Sequence, residues 1–165
     1  MNKKIKTIVV SAVLAAIEFV VTYLIAIPVP AISGAYVNAG DAVIYAGSFY
    51  FGSVFTAVAL GVGSALADLM MGAAMYVIPT FLIKTAMSLV CYAILKKGRS
   101  LKMYVFSAAI GGLVMLGGYF LTECIYYGAA LAAVGLLNNL GQYVFGILLA
   151  LPLYYGLRRV HLEKI

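Results

Sequence analysis

Long apolar stretches separated by short polar or basic segments dominate the hydrophobic pattern of the chain. Five stretches stand out, at residues 5–27, 41–71, 76–95, 103–123 and 135–157. About 20 mostly apolar residues are needed for an α-helix to cross the hydrocarbon core of a bilayer, and each stretch reaches that length. The pattern therefore predicts an all-α integral membrane bundle.

The stretch from 41 to 71 is too long for one straight crossing. At 1.5 Å per residue it would extend about 46 Å, against a hydrocarbon core of about 30 Å. We expect a turn near Gly52 and Ser53 that makes two short helices, the first shielded by neighbouring protein or starting below the outer surface. The predicted helices of one domain, residues 1–165, are about 5–27, 41–51, 54–71, 76–95, 103–124 and 135–157.

Basic residues fall into three clusters and give the chain a formal net charge of +6. The clusters are Lys3, Lys4 and Lys6; Lys96, Lys97, Arg99 and Lys102; and Arg158, Arg159 and Lys164. Short loops rich in Lys and Arg stay on the cytoplasmic side of a membrane. Both termini and the 96–102 loop are therefore predicted to lie inside the cell, which six crossings satisfy, and the charge reports topology rather than nucleic-acid binding.

Composition supports the bilayer as the solvent of this chain. Hydrophobic residues make up 65% and charged residues only 10%, with a mean hydropathy of +1.11, more apolar surface than a soluble domain of this size can bury. The run from Thr7 to Ile27 is long for a secretory signal and contains Glu18, so we interpret it as a retained first helix. Cys91 and Cys124 fall near opposite membrane surfaces, which excludes a disulfide between them.

Ionisable side chains inside the apolar stretches are energetically expensive, so each requires a reason. There are five: Glu18, Asp41, Asp68, Lys84 and Glu123. All are predicted in the outer half of the bundle, and the inner half is expected to be nearly featureless, which argues against a channel or a proton path. The prolines and glycines of residues 28–40 end the first helix and predict an extracellular loop that folds down as a lid.

Convergent polar and aromatic groups beneath a lid are typical of a small-molecule pocket. The predicted substrate-binding residues are Tyr36, Asn38, Asp41, Lys84, Tyr119, Glu123, Tyr127, Asn139, Gln142 and Tyr143. Helical spacing puts Asn139 with Tyr143 on one face, and Asn138 with Gln142 on another.

Simpler roles remain open for several of these polar groups. Glu18 and Lys84 could form a structural pair, Asp41 could cap the second helix, and the tyrosines could belong to a membrane-interface belt. Asp68 is expected near a helix carboxyl end, where it needs a cationic partner such as Lys84.

Small residues four apart allow helices to approach closely, within the bundle or against a partner. They occur in helix 1 as Ser11/Ala15 and Ala12/Ala16, and in helix 3 as Gly61/Ala65 and Gly63/Ala67. Internal packing is favoured for helix 3, and a partner-docking face is plausible for helix 1.

The order and spacing of several short motifs resemble the S components of energy-coupling factor (ECF) vitamin transporters over nearly the whole chain. The motifs are Asn38-Ala39-Gly40-Asp41, Phe51-Gly52, Gly63-Ser64-Ala65-Leu66-Ala67-Asp68, Pro79 with Lys84, and the alanines Ala12 and Ala16. The resemblance is strongest to the riboflavin-transporter-like branch, which includes pyridoxine and hydroxymethylpyrimidine members. This chain has Ser53 where that branch usually has a proline.

This resemblance implies a multi-pass protein of the bacterial plasma membrane that binds a vitamin and docks on a transmembrane T component driven by two ATPases. It also implies that Ala12 and Ala16 contact the T component. No Walker A, HExxH or GxSxG motif is present, so we expect neither enzymatic activity nor a cofactor or metal.

The expected ligand is pyridoxine or a related pyrimidine, with riboflavin as the alternative. Two other classes of function stay open: an intramembrane enzyme that uses Asp41, Asp68 and Glu123, and an assembly subunit without a ligand.

Overall fold

The structure, a computed structural model, describes residues 2–28 and 36–159. Its helices are α1 (Lys3–Leu24), α2 (Gly40–Phe51), α3 (Val54–Met70), α4 (Val77–Leu95), α5 (Leu101–Tyr127) and α6 (Ala129–Arg159), with a 3₁₀ turn at Ala74–Tyr76 and two short strands, β1 (Ala26–Pro28) and β2 (Tyr36–Asn38). The prediction of an all-helical bundle is confirmed. Most of the predicted lid, residues 29–35, and the basic Lys164 lie outside the described residues.

Within the described residues, four helical segments are long and apolar enough to cross a membrane: Lys4–Leu24, Ala74–Leu95, Leu101–Tyr127 and Ala129–Arg159. Their outer surfaces carry large apolar side chains such as Ile8, Val13, Leu113 and Leu148, each more than half exposed, which lipid would cover. The six crossings and the cytoplasmic termini remain predictions.

Helix α2 is short because it is enclosed by the rest of the bundle. Its residues from Gly40 to Tyr50 are all buried. A 12-residue helix is too short to cross the hydrocarbon core, so at membrane depth it must be surrounded by protein rather than lipid. The predicted break at Gly52 and Ser53 is also present. Ser53 caps α3 by accepting a 3.0 Å hydrogen bond from the Thr56 backbone N–H, a role that a proline could not fill with its side chain.

Three predicted helix boundaries are wrong, one of them the end of α5, which lies at Tyr127 rather than residue 124. Helix α1 ends at Leu24 rather than residue 27, because Ala26–Pro28 pairs antiparallel with Tyr36–Asn38. Helix α6 begins at Ala129 rather than residue 135: Gly128, at φ +83°, supplies the whole turn after α5, and the alanine-rich sequence that follows favours helix.

Helix α3 packs between α1 and α4 through its small residues. A Cβ at Gly63 would overlap the Ala15 backbone of α1, and one at Gly61 would overlap the Thr85 side chain of α4. The internal role favoured for the α3 stripes is therefore confirmed. The small residues of α1 lie in two different environments. Ser11 is buried, with its hydroxyl 3.2 Å from the Thr56 hydroxyl, whereas Ala12 and Ala16 are exposed on the outward surface.

The end of the bundle opposite the hairpin is less featureless than predicted. An aromatic cluster of Phe49, Tyr50, Tyr104 and Tyr154 fills it with ring centroids about 5 Å apart. The hydroxyls of Tyr50 and Tyr104 donate hydrogen bonds of 2.7 and 3.1 Å to backbone carbonyls of α6. These polar atoms satisfy one another inside the core, so the groups available to a ligand lie at the hairpin end.

Candidate functional site

A small cavity lies beneath the β1–β2 hairpin, between α3, α4, α5 and α6. Its volume is about 30 Å³, room for one or two water molecules. It is lined by Tyr36, Asn38, Asp68, Tyr76, Thr80, Tyr119, Glu123, Asn139 and Gln142. Since a vitamin ring is larger than this space, binding requires the hairpin or the lining side chains to move.

A buried ion pair lies behind the cavity and fixes one of its walls. The Lys84 ammonium of α4 donates to Asp41 Oδ1 of α2, and both side chains are almost fully buried. The other Asp41 oxygen accepts a 2.9 Å hydrogen bond from Gln142 Nε2 of α6. Because the amide's donor is committed to Asp41, its carbonyl oxygen is oriented toward the hairpin.

That oriented carbonyl holds the hairpin in place. Gln142 Oε1 accepts a 2.9 Å hydrogen bond from the Asn38 backbone N–H, and Asn38 Oδ1 in turn accepts 2.9 Å from the Gly40 N–H that starts α2. A chain of contacts thus runs from Lys84 through Asp41 and Gln142 to the strand above the cavity.

A second side-chain hydrogen bond joins the hairpin to α3. The Tyr36 hydroxyl donates to Asp68 Oδ1. Burial, together with the neighbouring Asp68 carboxyl, raises the pKa of the Tyr36 phenol, so the hydroxyl keeps its proton and remains the donor of this bond. The hairpin is therefore held at two points, one on α6 and one on α3.

Three aromatic and hydroxyl side chains form the wall contributed by α5, α4 and the 3₁₀ turn that precedes α4. Thr80 and Tyr119 share a 2.9 Å hydrogen bond, and the Tyr76 and Tyr119 rings lie 6.5 Å apart. The Lys84 ammonium is 5.6 Å from the centroid of the Tyr119 ring. Such a wall offers a ligand ring both flat surface and hydroxyl groups.

The structure places the ten predicted site residues unequally. Tyr36, Asn38, Tyr119, Glu123, Asn139 and Gln142 line the cavity, whereas Asp41 and Lys84 support it from behind. Tyr127 lies at the outer rim with its hydroxyl 3.2 Å from Met75 Sδ. Tyr143 packs against Gly112 of α5 and does not line the cavity.

The residues of α6 are grouped differently from the predicted faces. Asn139 and Gln142 point to the cavity together, whereas Asn138 donates 2.9 Å to the Val134 carbonyl of its own helix. Three lining residues were not in the predicted site: Asp68, Tyr76 and Thr80. The spacing of four that runs from Tyr76 through Thr80 to Lys84 is the signal that identifies the α4 face.

The predicted partners of three ionisable residues are corrected. Lys84 pairs with Asp41, so neither the Glu18 nor the Asp68 pairing holds, and Asp41 makes an interhelical contact instead of capping α2, whose N-cap is Ala39. Glu18 instead accepts hydrogen bonds from Ser64, at 2.7 Å, and from Thr22, at 3.1 Å. The sequence is compatible with any of these pairings, and only the packing of α2 at the centre of the bundle selects one of them.

Comparison with known families decides the class of protein. A sequence model of the ECF-type riboflavin transporter S component family matches residues 2–159. The chain belongs to this family. It is therefore the S component of a vitamin transporter, a multi-pass protein of the bacterial plasma membrane that works with a T component and ATPases.

Two relatives cover most of this S component. The thiamine precursor transporter HmpT of Lactococcus lactis subsp. cremoris (strain MG1363) is 30% identical over 149 residues, which is 90% of this chain and 86% of HmpT. An uncharacterized protein in gap 3′ region of Pyrococcus woesei is 33% identical over 140 residues, 85% of this chain and 93% of that protein.

The three carboxyl groups of Asp41, Asp68 and Glu123 have separate surroundings in the structure. Asp41 is neutralised by Lys84, Asp68 accepts from Tyr36, and Glu123 lies on a different helix against Gly135. Within residues 2–28 and 36–159, no three Asp, Glu, His or Cys side chains are placed to hold a metal ion. No observation on this chain favours the enzyme alternative over the transport role of its family.

Proposed function

We propose that this S component captures a single-ring, water-soluble vitamin or vitamin precursor, pyridoxine or a related pyrimidine, for ATP-driven uptake. The observation that carries the proposal is the cavity beneath the hairpin, which brings amide, carboxyl, hydroxyl and aromatic groups around one small space. The thiamine precursor named for the HmpT relative supports a ligand of this size.

Cavity size favours one ring over the riboflavin of the family name. At about 30 Å³ the site must expand for any vitamin, and a tricyclic flavin with its sugar chain requires far larger displacement than a single ring. Asn139 offers an amide that can pair with ring nitrogens or hydroxyl groups, and Tyr119 can lie against the ring face, while Asn38 and Gln142 hold the wall of the site through their bonds to each other.

Docking on a T component is proposed for the outward surface of α1. Ala12 and Ala16 are exposed there and flanked by the apolar side chains of Ile8, Val13 and Ile17. Two small residues one helical turn apart leave a shallow depression into which another helix can pack closely. Ala12 shares a surface groove with Val54 and Phe55 of α3, so a helix docked on α1 at this position would also contact α3.

The ligand proposal is tested by calorimetry of the purified protein with pyridoxine, 4-amino-5-hydroxymethyl-2-methylpyrimidine, thiamine and riboflavin. We expect saturable one-to-one binding of a single-ring compound, with thermal stabilisation of about 2.7 kcal/mol when that compound is at 100 times its Kd. Tightest binding of riboflavin would select the alternative substrate. Stabilisation by none of the four would contradict the ligand proposal and favour an assembly subunit.

A further inference from the structure

The ionisable side chains around the cavity are of one kind. Two of its nine lining residues, Asp68 and Glu123, are acidic, and none of the nine is Lys or Arg. Residues 29–35 of the predicted lid contain no charged side chain, so they do not change this imbalance. Lys84, the cation behind the cavity, is already paired with Asp41.

Both acidic side chains are deeply buried and retain unused hydrogen-bonding capacity. Each is only 2% exposed. The Asp68 carboxyl contacts the Tyr36 and Thr80 hydroxyls and the Glu123 carboxyl contacts Asn139. Among the described residues, the second oxygen of each carboxyl group, Asp68 Oδ2 and Glu123 Oε2, has no well-formed hydrogen bond. Buried polar atoms are nearly always satisfied in native proteins, so such oxygens at a binding cavity point to donors supplied by a ligand.

The backbone is adapted to hold one of these carboxyl groups. The Glu123 carboxyl lies directly over Gly135 of α6, where any Cβ would overlap it. Gly135 is therefore a positioning residue, since it lets a carboxyl group from α5 reach the α6 wall beside Asn139. A site built around a retained acidic group is a poor host for a second anion.

We infer that the cavity selects a neutral or cationic ligand that presents N–H or O–H donors to Asp68 and Glu123, and that it rejects the phosphate ester of the same compound. The inference rests on the proposed function, because it concerns the ligand of that cavity. Phosphate recognition requires Arg, Lys or several backbone N–H donors, and the lining provides two carboxyl groups instead. An aminopyrimidine meets the requirement well, since its exocyclic amino group donates two N–H bonds.

The test compares matched compounds on the wild-type protein by calorimetry: pyridoxine with pyridoxine 5′-phosphate, and 4-amino-5-hydroxymethyl-2-methylpyrimidine with its monophosphate. We expect the phosphate ester to bind at least about 100-fold more weakly than whichever parent compound binds, because the lining offers no Lys or Arg to compensate the buried phosphate charge. Equal affinity for parent and ester would overturn the inference and leave the proposed function standing. If no parent compound binds, the proposed function fails and this inference falls with it.

Two near-isosteric variants assign the selectivity to residues. Asp68→Asn and Glu123→Gln each replace the carboxyl group with an amide of nearly the same shape, and each is expected to weaken parent binding and to reduce the preference over the phosphate ester by about 10-fold. Glu163→Gln, the same chemical change in the basic carboxy-terminal sequence, is the control and should leave the preference unchanged. If both cavity variants keep the full preference, the two carboxyl groups are not its source. Should either variant fail to fold, the wild-type comparison still decides the inference.

Discussion

Lys84→Met is expected to lower the free energy of unfolding of this S component by about 3–5 kcal/mol. The substitution leaves the Asp41 carboxylate buried at the centre of the bundle without its cation, and an unpaired buried charge is costly. The effect should reach the ligand site as well, because Asp41 orients Gln142 and Gln142 holds the Asn38 backbone.

A double variant separates the ion pair from simple loss of packing. In Asp41→Asn with Lys84→Met neither charge remains, so the large penalty of an unpaired carboxylate is removed. Thermal unfolding of the purified proteins should therefore show the double variant to be more stable than Lys84→Met alone. A single variant as stable as wild type, or a double variant less stable than the single one, would contradict the role assigned to this pair.

Ala16→Trp is expected to reduce vitamin uptake by about 10-fold or more in cells that also contain the T component and ATPases, while binding by the isolated protein stays within about twofold of wild type. A large ring at this exposed position fills the depression where a partner helix is proposed to pack, but it touches no residue of the cavity. Ala12→Trp should behave in the same way.

Leu113→Trp provides the control for this experiment. Leu113 is 54% exposed on α5, so the substitution adds a similar ring to a different lipid-facing surface. Its uptake should stay close to that of wild type. If Leu113→Trp and Ala16→Trp impair uptake equally, the effect belongs to membrane insertion and not to a docking surface on α1.

Much of the fold can be predicted from the sequence because membrane physics restricts the choices. A helix from 41 to 71 cannot fit a bilayer, and the basic clusters require an even number of crossings between them; together they locate the break at Gly52 and Ser53, which the structure confirms. The residue at which α6 begins could not be predicted in this way, because one glycine at positive φ, Gly128, replaces the loop that a change of chain direction usually needs.

The residues of the site are predictable as a set, but their partners are not. Depth in the membrane places Glu18, Asp41, Asp68 and Lys84 at one level, and several pairings are then possible. The choice depends on the rotation of each helix about its axis, which for α2 is set by contacts on every side and leaves no amphipathic pattern in the sequence. The same uncertainty in rotation caused Asn138 to be grouped with Gln142.

The most direct test of a ligand site beneath the hairpin uses these adjacent asparagines. Asn139 lines the cavity, whereas Asn138 is bonded to the Val134 carbonyl of its own helix. Calorimetry with the tightest-binding single-ring compound should show a loss of about 10-fold or more for Asn139→Ala and less than about twofold for Asn138→Ala. Equal losses in the two variants, or a larger loss for Asn138→Ala, would contradict this location for the ligand.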